Sequence, residues 1–359
     1  MNLLLVVPRL NIGGAETYVV TTALALKKIG FNVFVASGGG LLTRLLHDNG
    51  IQHFFVPIRL STDLASRRLK QIIQQNHIEI IHANSAAAGI TALKARHDLK
   101  FSVPVIYTAH GVFGHNAKEM TLNQCDKIIC VSEYVRRFAL EKGFAADKLV
   151  TVYSGIDLEK FNPDTKTTET IRRNLNIPSD AFTLAIVSRI KNLHNKGHAD
   201  ILHILETYHS TRNWHLMVIG KGKGLWQLKY RIWKNNLQNR VHCVGHILDV
   251  QDVLNGADVI VLPSNFETFG LVLAESMAMR KPVVTYAVGG TPEVVEHENT
   301  GFLVEKNNLN ELHQRLMMLA ESDKLRMKMG IQGRNLVENR FDSKMMLDKL
   351  IKIYQALGR

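Results

Sequence analysis

Glu267 and Glu275 stand eight residues apart in the stretch Ser-Asn-Phe-Glu-Thr-Phe-Gly-Leu-Val-Leu-Ala-Glu-Ser of residues 264–276, and a Gly289-Gly290 pair follows. Two carboxylates in a polar loop and the helix after it can hold the hydroxyls of a sugar with one acid and a ribose with the other. The glycines of this region can supply bare backbone N–H groups for phosphate. If both glutamates lie on one helix, eight residues put them on roughly the same side and about 12 Å apart. That is too far to share one glycosidic bond as a hydrolase requires, but it suits the two ends of an extended ligand.

Four other groups could join them. Arg189 follows an apolar run at 183–187, and Lys196-Gly197 lies just beyond, at a helix start. Two cations at a strand's C-terminal end can neutralise a diphosphate, Arg with a planar fork and Lys as a point charge. A departing nucleoside diphosphate gains negative charge, so fixed cations there favour the transition state over the ground state. His110-Gly111 closes the run 103–108, where an imidazole can donate to a hydroxyl or polarise a developing charge. Gly13-Gly14 sits between the first apolar run and a helix, with Glu16 in the first turn. The backbone can approach a ligand closely there, though a plain strand-to-helix turn has the same composition. Gly220-Lys-Gly-Lys-Gly224 is only a loose dinucleotide fingerprint, and Arg240 stands where a ribose-binding acid is expected. Its lysines either face a phosphate or are solvated on a turn.

These residues need a scaffold of strand ends. Buried-type strands are expected at 3–7, 32–36, 53–56, 78–82, 103–108, 127–131 and 150–152, with helices at 14–29, 41–49, 61–76, 86–97 and 133–142 between them. A polar, proline-bearing segment at 161–168 reads as a linker. The same alternation restarts at 183–187, 216–219, 241–244, 259–262, 283–286 and 301–304, with helices clearest at 249–255, 271–279, 309–321 and 324–339. The expectation is an α/β protein with two doubly wound, Rossmann-like domains facing an interdomain cleft. Residues 1–162 form the first domain and 166–342 the second. A cationic amphipathic helix at 343–357 either caps its own domain or crosses back to the first.

The bulk properties narrow the function. A chain of 359 residues exceeds one ordinary core, and 46% hydrophobic with 21% charged residues is the balance of a soluble globular protein. No segment approaches the roughly 18 apolar residues of a membrane span. The apolar start at 3–7 stops at Pro8 and Arg9, too short for a signal peptide, so a cytoplasmic location is expected. Cys125, Cys130 and Cys243 lack metal-ligand spacing, and the sixteen histidines are scattered. The net charge of +12 favours anionic partners. Nothing beyond that charge points to nucleic acid. Basic clusters at Arg67-Arg68 with Lys70, Lys94 with Arg96, and Arg136-Arg137 could meet an anionic membrane. Trp226, Tyr230 and Trp233 interleave with Lys229, Arg231 and Lys234. Core aromatics with solvated lysines opposite are the expectation there, and an interfacial stripe is the alternative.

Glu267 and Glu275, Pro282-Val-Val, Gly289-Gly290-x-x-Glu293, Thr300-Gly-Phe-Leu-Val, Gly13-Gly14-Ala-Glu16, Thr108-Ala-His110-Gly111 and Ser154-Gly-Ile-Asp157 together resemble family 4 of the retaining glycosyltransferases, which have the GT-B fold. The resemblance runs over nearly the whole chain. It implies a nucleotide-sugar donor held mostly by the second domain: Arg189 and Lys196 on the diphosphate, Glu275 on the ribose, and Glu267 on the sugar. Backbone N–H groups of Phe269, Gly270 and Leu271 would lie near sugar and phosphate. Gly220 would line the donor site, Gly13 and Gly14 would approach the diphosphate, and His110 would approach the sugar. It implies no metal or other cofactor, retention with the leaving phosphate taking the acceptor's proton, and a last helix that crosses back. The family usually separates the Arg and Lys by five positions. Here they are seven apart, with Lys191 to Asn195 inserted and Lys191 as a substitute cation.

The expected activity is transfer of a hexose-type unit from a nucleotide sugar, UDP-linked by family frequency, to a saccharide or lipid-linked acceptor. The expected setting is envelope or surface polysaccharide synthesis, with a peripheral place on the cytoplasmic face of the membrane as an option. The alternatives are a non-catalytic GT-B partner subunit and a sugar-nucleotide epimerase of the same fold.

Overall fold

A computed structural model of the chain describes residues 1–11, 13–99, 101–112, 117–165, 169–247 and 249–358. Two compact units emerge, Met1–Gly155 with Ser343–Arg359, and Ile156–Asp342. Each is a parallel sheet with helical crossovers.

The first unit contains β1 (Asn2–Val6), β2 (Asn32–Ser37), β3 (Gln52–Phe55), β4 (Ile80–Ala83), β5 (Val105–Ala109), β6 (Lys127–Cys130) and β7 (Leu149–Thr151). Their order is β3-β2-β1-β4-β5-β6-β7, all parallel, so the winding reverses between β1 and β4. Leu3, Leu4, Leu5 and Val6 are all buried, as a strand covered on both faces requires. The expected strand at 103–108 starts two residues later because Pro104 has no N–H for the ladder. Its carbonyl instead accepts from Ile81 N at 3.0 Å.

The helix Ser343–Leu357 belongs to this first unit, although its sequence follows the second. Met346, Leu347, Leu350 and Tyr354 form its inner stripe and pack with Leu3, Leu5, Val35 and Ile80. At roughly 1.5–3 kcal/mol per buried large side chain, that face contributes about 6–12 kcal/mol before ordering entropy. Tyr354 adds a polar anchor: its hydroxyl shares a 2.7 Å hydrogen bond with Nδ1 of the buried His82, whose Nε2 meets Thr108 Oγ1 at 2.6 Å. Burial holds His82 neutral, with its pKa pushed down to about 3.

The second unit contains β8 (Phe182–Val187), β9 (Trp214–Ile219), β10 (Val241–Gly245), β11 (Val259–Leu262), β12 (Val283–Tyr286) and β13 (Gly301–Val304). The order β10-β9-β8-β11-β12-β13 puts its reversal between β8 and β11. Helices His198–Thr207 and Leu225–Lys234 complete the alternation. Residues 166–168 of the expected linker lie outside the described residues, and Pro163–Thr165 forms a single 3-10 turn. The chain entering this unit is pinned to its end: Ile156 N donates to Phe341 O at 2.7 Å, and an Arg334 Nη1 donates to Phe161 O at 2.7 Å.

Candidate active site

Strand order decides where a site can form. In an open parallel sheet ligands bind beyond the C-terminal strand ends, at the reversal point. In the second unit the loops there are 188–197 after β8 and 263–270 after β11. Arg189 and Lys196 sit on the first, and Glu267, Phe269 and Gly270 on the second.

The two loops are stapled together. Asn265 N donates to Asn195 O at 3.1 Å, and Asn265 Nδ2 donates to His194 O at 2.8 Å. Within the first loop Asn192 Oδ1 accepts from His194 N at 3.0 Å and Asn195 N at 2.8 Å, which closes the longer Arg–Lys segment into a turn. Gly197 then runs so close to Pro263 that a Cβ would lie 2.3 Å from the proline carbonyl oxygen. The result is an ion pair between Lys196 Nζ and Glu267 Oε1, with Ser264 Oγ donating to the same oxygen at 2.9 Å. The inserted residues thus serve the staple, and Lys196 meets Glu267. Lys191 is exposed. Arg189 is exposed and makes no side-chain hydrogen bond or ion pair among the described residues. Neither Asn192, Asn265 nor Ser264 was foreseen as part of the site. The acceptors of Asn265 are carbonyls that only the fold brings near, whereas Asn192 and Ser264 bond within three residues, to backbone amides and to the Glu267 carboxylate.

His198 begins the helix behind Lys196. Burial first, and the Lys196 charge second, push its pKa down to about 4, so it is neutral at physiological pH. Its Nε2 lies 3.3 Å from Ser188 Oγ at the foot of the Arg189 loop.

Two sequence expectations are corrected. The separation of about 12 Å between Glu267 and Glu275 read from helical rise does not apply, because only Glu275 is on the helix expected at 271–279. The helix is Leu271–Ala278, Gly270 caps it in the left-handed region at φ +93°, and Glu267 lies in the preceding loop. Their separation is therefore not set by helical rise, and the argument against a hydrolase loses that support. Nor is the Gly290 amide an open phosphate donor. Gly290 N spends its hydrogen on Glu267 O at 3.0 Å, and a Cβ on Gly289 would sit 1.9 Å from that same oxygen. These glycines exist so that backbone can lie against the Glu267–Thr268 peptide, and Gly289 also needs φ +57°. The N–H groups of Gly270 and Leu271, at the helix start, have no acceptor among the described residues. Phe269 is an anchor, buried edge-on against Phe341 with ring centres 5.4 Å apart.

Gly220 has a similar explanation. Added Cβ atoms at Gly220 and Gly222 would meet Ser188 O at 1.9 Å and Ile190 O at 2.0 Å. The glycine-rich turn is the floor on which the Arg189 loop rests, and Lys221 and Lys223 point to solvent.

Glu275 occupies the middle of its helix, half-buried. Burial pushes its carboxyl up to about 7 against the opposing pull of Lys160. The helix is held tightly from behind, where Gly330 and Gly333 let helix Asp323–Arg340 approach the Arg280 carbonyl and the Met277 side chain. In the first unit, Gly13 precedes helix Gly14–Lys28 in an extended conformation that any residue adopts, and its carbonyl accepts from Thr17 N at 2.9 Å. His110 follows β5, its ring edge-on to Tyr18 at 4.8 Å and its Nε2 3.4 Å from Asn84 Oδ1. Burial lowers its pKa to about 4, so the ring is neutral.

Two family models match this chain in succession, Glycosyltransferase Family 4 over residues 12–160 and Glycosyl transferases group 1 over residues 167–336. The chain belongs to the group 1 glycosyltransferases. Among the relatives of this glycosyltransferase is the capsular polysaccharide biosynthesis glycosyltransferase CapM of Staphylococcus aureus, 27% identical, with 92% of this chain and 91% of CapM covered. Another is the UDP-Gal:alpha-D-GlcNAc-diphosphoundecaprenol alpha-1,3-galactosyltransferase of Escherichia coli, 25% identical, with 89% and 87% covered. Among solved structures, HepE of Anabaena in complex with UDP and glucose superposes with a TM-score of 0.88, covering 98% of this chain and 99% of HepE at 21% identity, a likeness of fold.

Proposed function

We propose that this glycosyltransferase moves a hexose-type sugar, with retention, from a UDP-linked donor to a saccharide or lipid-linked acceptor in envelope or surface polysaccharide synthesis. The observation that carries it is the Lys196–Glu267 pair, locked beside the free guanidinium loop of Arg189 at the reversal point of the second sheet. A diphosphate bound to Arg189 and Lys196 gains its negative charge next to fixed cations. Glu267, relieved of part of its pairing, accepts hydroxyls of the sugar, and the amides of Phe269, Gly270 and Leu271 add dipoles. Glu275 accepts the ribose diol. By the family resemblance, Gly13 and Gly14 serve the diphosphate and the neutral His110 approaches the sugar. No metal is required in this scheme, because the cations and amides take the charge and the departing phosphate accepts the acceptor's proton. The UDP preference is supported by the names of the Escherichia coli and Anabaena relatives. The diphosphoundecaprenol acceptor in the name of the Escherichia coli relative and the basic surface support a peripheral position on an anionic cytoplasmic membrane face.

The test is donor turnover, followed as UDP release from UDP-galactose and UDP-glucose in the presence of EDTA. Each of Arg189→Ala and Lys196→Ala should raise the barrier by about 2–4 kcal/mol, mainly in kcat. Unchanged turnover with both cations removed, or complete loss in EDTA restored by a divalent ion, would sink the scheme.

A further inference from the structure

Helix Leu225–Lys234 carries two different apolar stripes. Leu228 and Ile232 face inward and are buried. Trp226, Tyr230 and Trp233 are 67%, 56% and 64% exposed, so the expectation that they are core aromatics is wrong. At 100° per residue these three share an arc of about 60° on the outer side of the helix. Lys229 lies to one side of that arc and Lys234 to the other, both exposed, and the exposed Lys221 and Lys223 stand in the preceding turn.

The ridge is rigidly mounted. Arg231, on the flank, donates to both carboxylate oxygens of Glu206 at 2.8 and 2.7 Å, and Asn235 Nδ2 adds a bond to the same group at 3.1 Å. Arg231 is therefore spent on structure, while the lysines remain solvated. Tyr230 and Trp233 also touch, with ring centres 6.0 Å apart.

We propose that this aromatic ridge is a membrane-docking surface that seats the second unit on an anionic bilayer. The chemistry selects that occupant. Trp and Tyr prefer the depth where one end of the ring is apolar and the other wet. Lysines on both sides of the ridge match phosphate headgroups around inserted rings, whereas a protein interface core is depleted in lysine. The chain's net charge of +12 has the same sign. The inference extends the lipid-linked acceptor reading but does not depend on the donor site.

Sedimentation with phosphatidylcholine vesicles, with and without phosphatidylglycerol, tests it on the full chain. The intact protein should bind the anionic vesicles. Tryptophan emission should shift to the blue and be quenched by brominated lipid, since Trp214 is buried and the other two tryptophans are on the ridge. The W226S/Y230S/W233S variant should lose at least about tenfold in partitioning. Lys229→Gln with Lys234→Gln should lose about twenty-fivefold on anionic vesicles only, at about fivefold per lysine. An unchanged melting temperature shows that each variant is folded, and turnover of UDP-sugar without vesicles reports separately on the donor site. Binding that survives the triple substitution would assign docking to other basic surfaces such as Arg67-Arg68 and overturn the proposal. So would absence of lipid quenching in the intact protein, or concentration-dependent self-association that the triple substitution removes.

Discussion

Glu275→Gln should make the protein more stable and less useful. The Glu275 carboxyl titrates near 7 instead of its ordinary 4.5 because it is buried. At 1.36 kcal/mol per tenfold, that disfavours the charged form by roughly 3 kcal/mol. Residual solvent contact reduces the figure, so we expect about 1–2 kcal/mol. The sign follows from proton linkage. Between pH 4.5 and 7 the native state holds this proton and the unfolded chain has released it, so native stability falls as pH rises through that window and levels off above it. A glutamine has no such slope. Urea unfolding should therefore show Glu275→Gln about 1–2 kcal/mol more stable than the parent at pH 8 and nearly equal to it at pH 5. Donor binding should move the other way. A ribose diol donates to the carboxylate, so only the ionised fraction is competent, and that fraction rises from about 0.1 at pH 6 to about 0.9 at pH 8. Calorimetry with UDP-glucose, whose esterified phosphates do not titrate in this range, should show about tenfold tighter binding at pH 8 than at pH 6. The variant should bind weakly and without that slope. A variant less stable than the parent at pH 8, or a flat pH profile in the parent, would refute the reasoning.

Gly289→Ala forces a left-handed backbone on a residue with a Cβ and drives that atom to 1.9 Å from Glu267 O. It should cost on the order of 2–4 kcal/mol in thermal unfolding. Because the displaced peptide carries Glu267, UDP-glucose binding should weaken as well, and stability loss with intact binding would contradict the link. Tyr354→Phe removes the hydroxyl bonded to His82 and leaves a buried ring nitrogen unpaired. Chemical denaturation should show a loss of about 1–3 kcal/mol, and a neutral result would mean that the hydrogen bond contributes nothing net.

The alternation of buried strands and helices was legible in the sequence because continuous runs such as Leu3–Leu4–Leu5–Val6 have no amphipathic alternative. The location of the candidate site was legible too, since Arg189, Lys196 and Glu267 all follow such runs. Its internal geometry was not. Local sequence placed the helix start after Gly270 correctly, but it gave no sign that Gly220, Gly289 and Gly290 would be spent on close backbone approach. Those roles depend on which loop lies opposite, and that is fixed by strand order. Asn265 was invisible for the same reason, because its acceptors are carbonyls about seventy positions away. The aromatic helix failed differently. Its two apolar stripes have the same period, and periodicity alone cannot choose which one faces inward. The bulky rings were assigned to the core, and the smaller Leu228 and Ile232 took it.

The placement of Ser343–Leu357 imposes an order on biosynthesis. The side chains that finish the core around Leu3 and Leu5 leave the ribosome only after the whole second unit. Everything from Ile156 to Asp342 must be translated first. At 5–20 residues per second the nascent first sheet waits on the order of ten to forty seconds with an apolar groove open to water. For that interval it is a client for chaperones, and a stop codon just before Ser343 would damage the first unit, translated long before, more than the second.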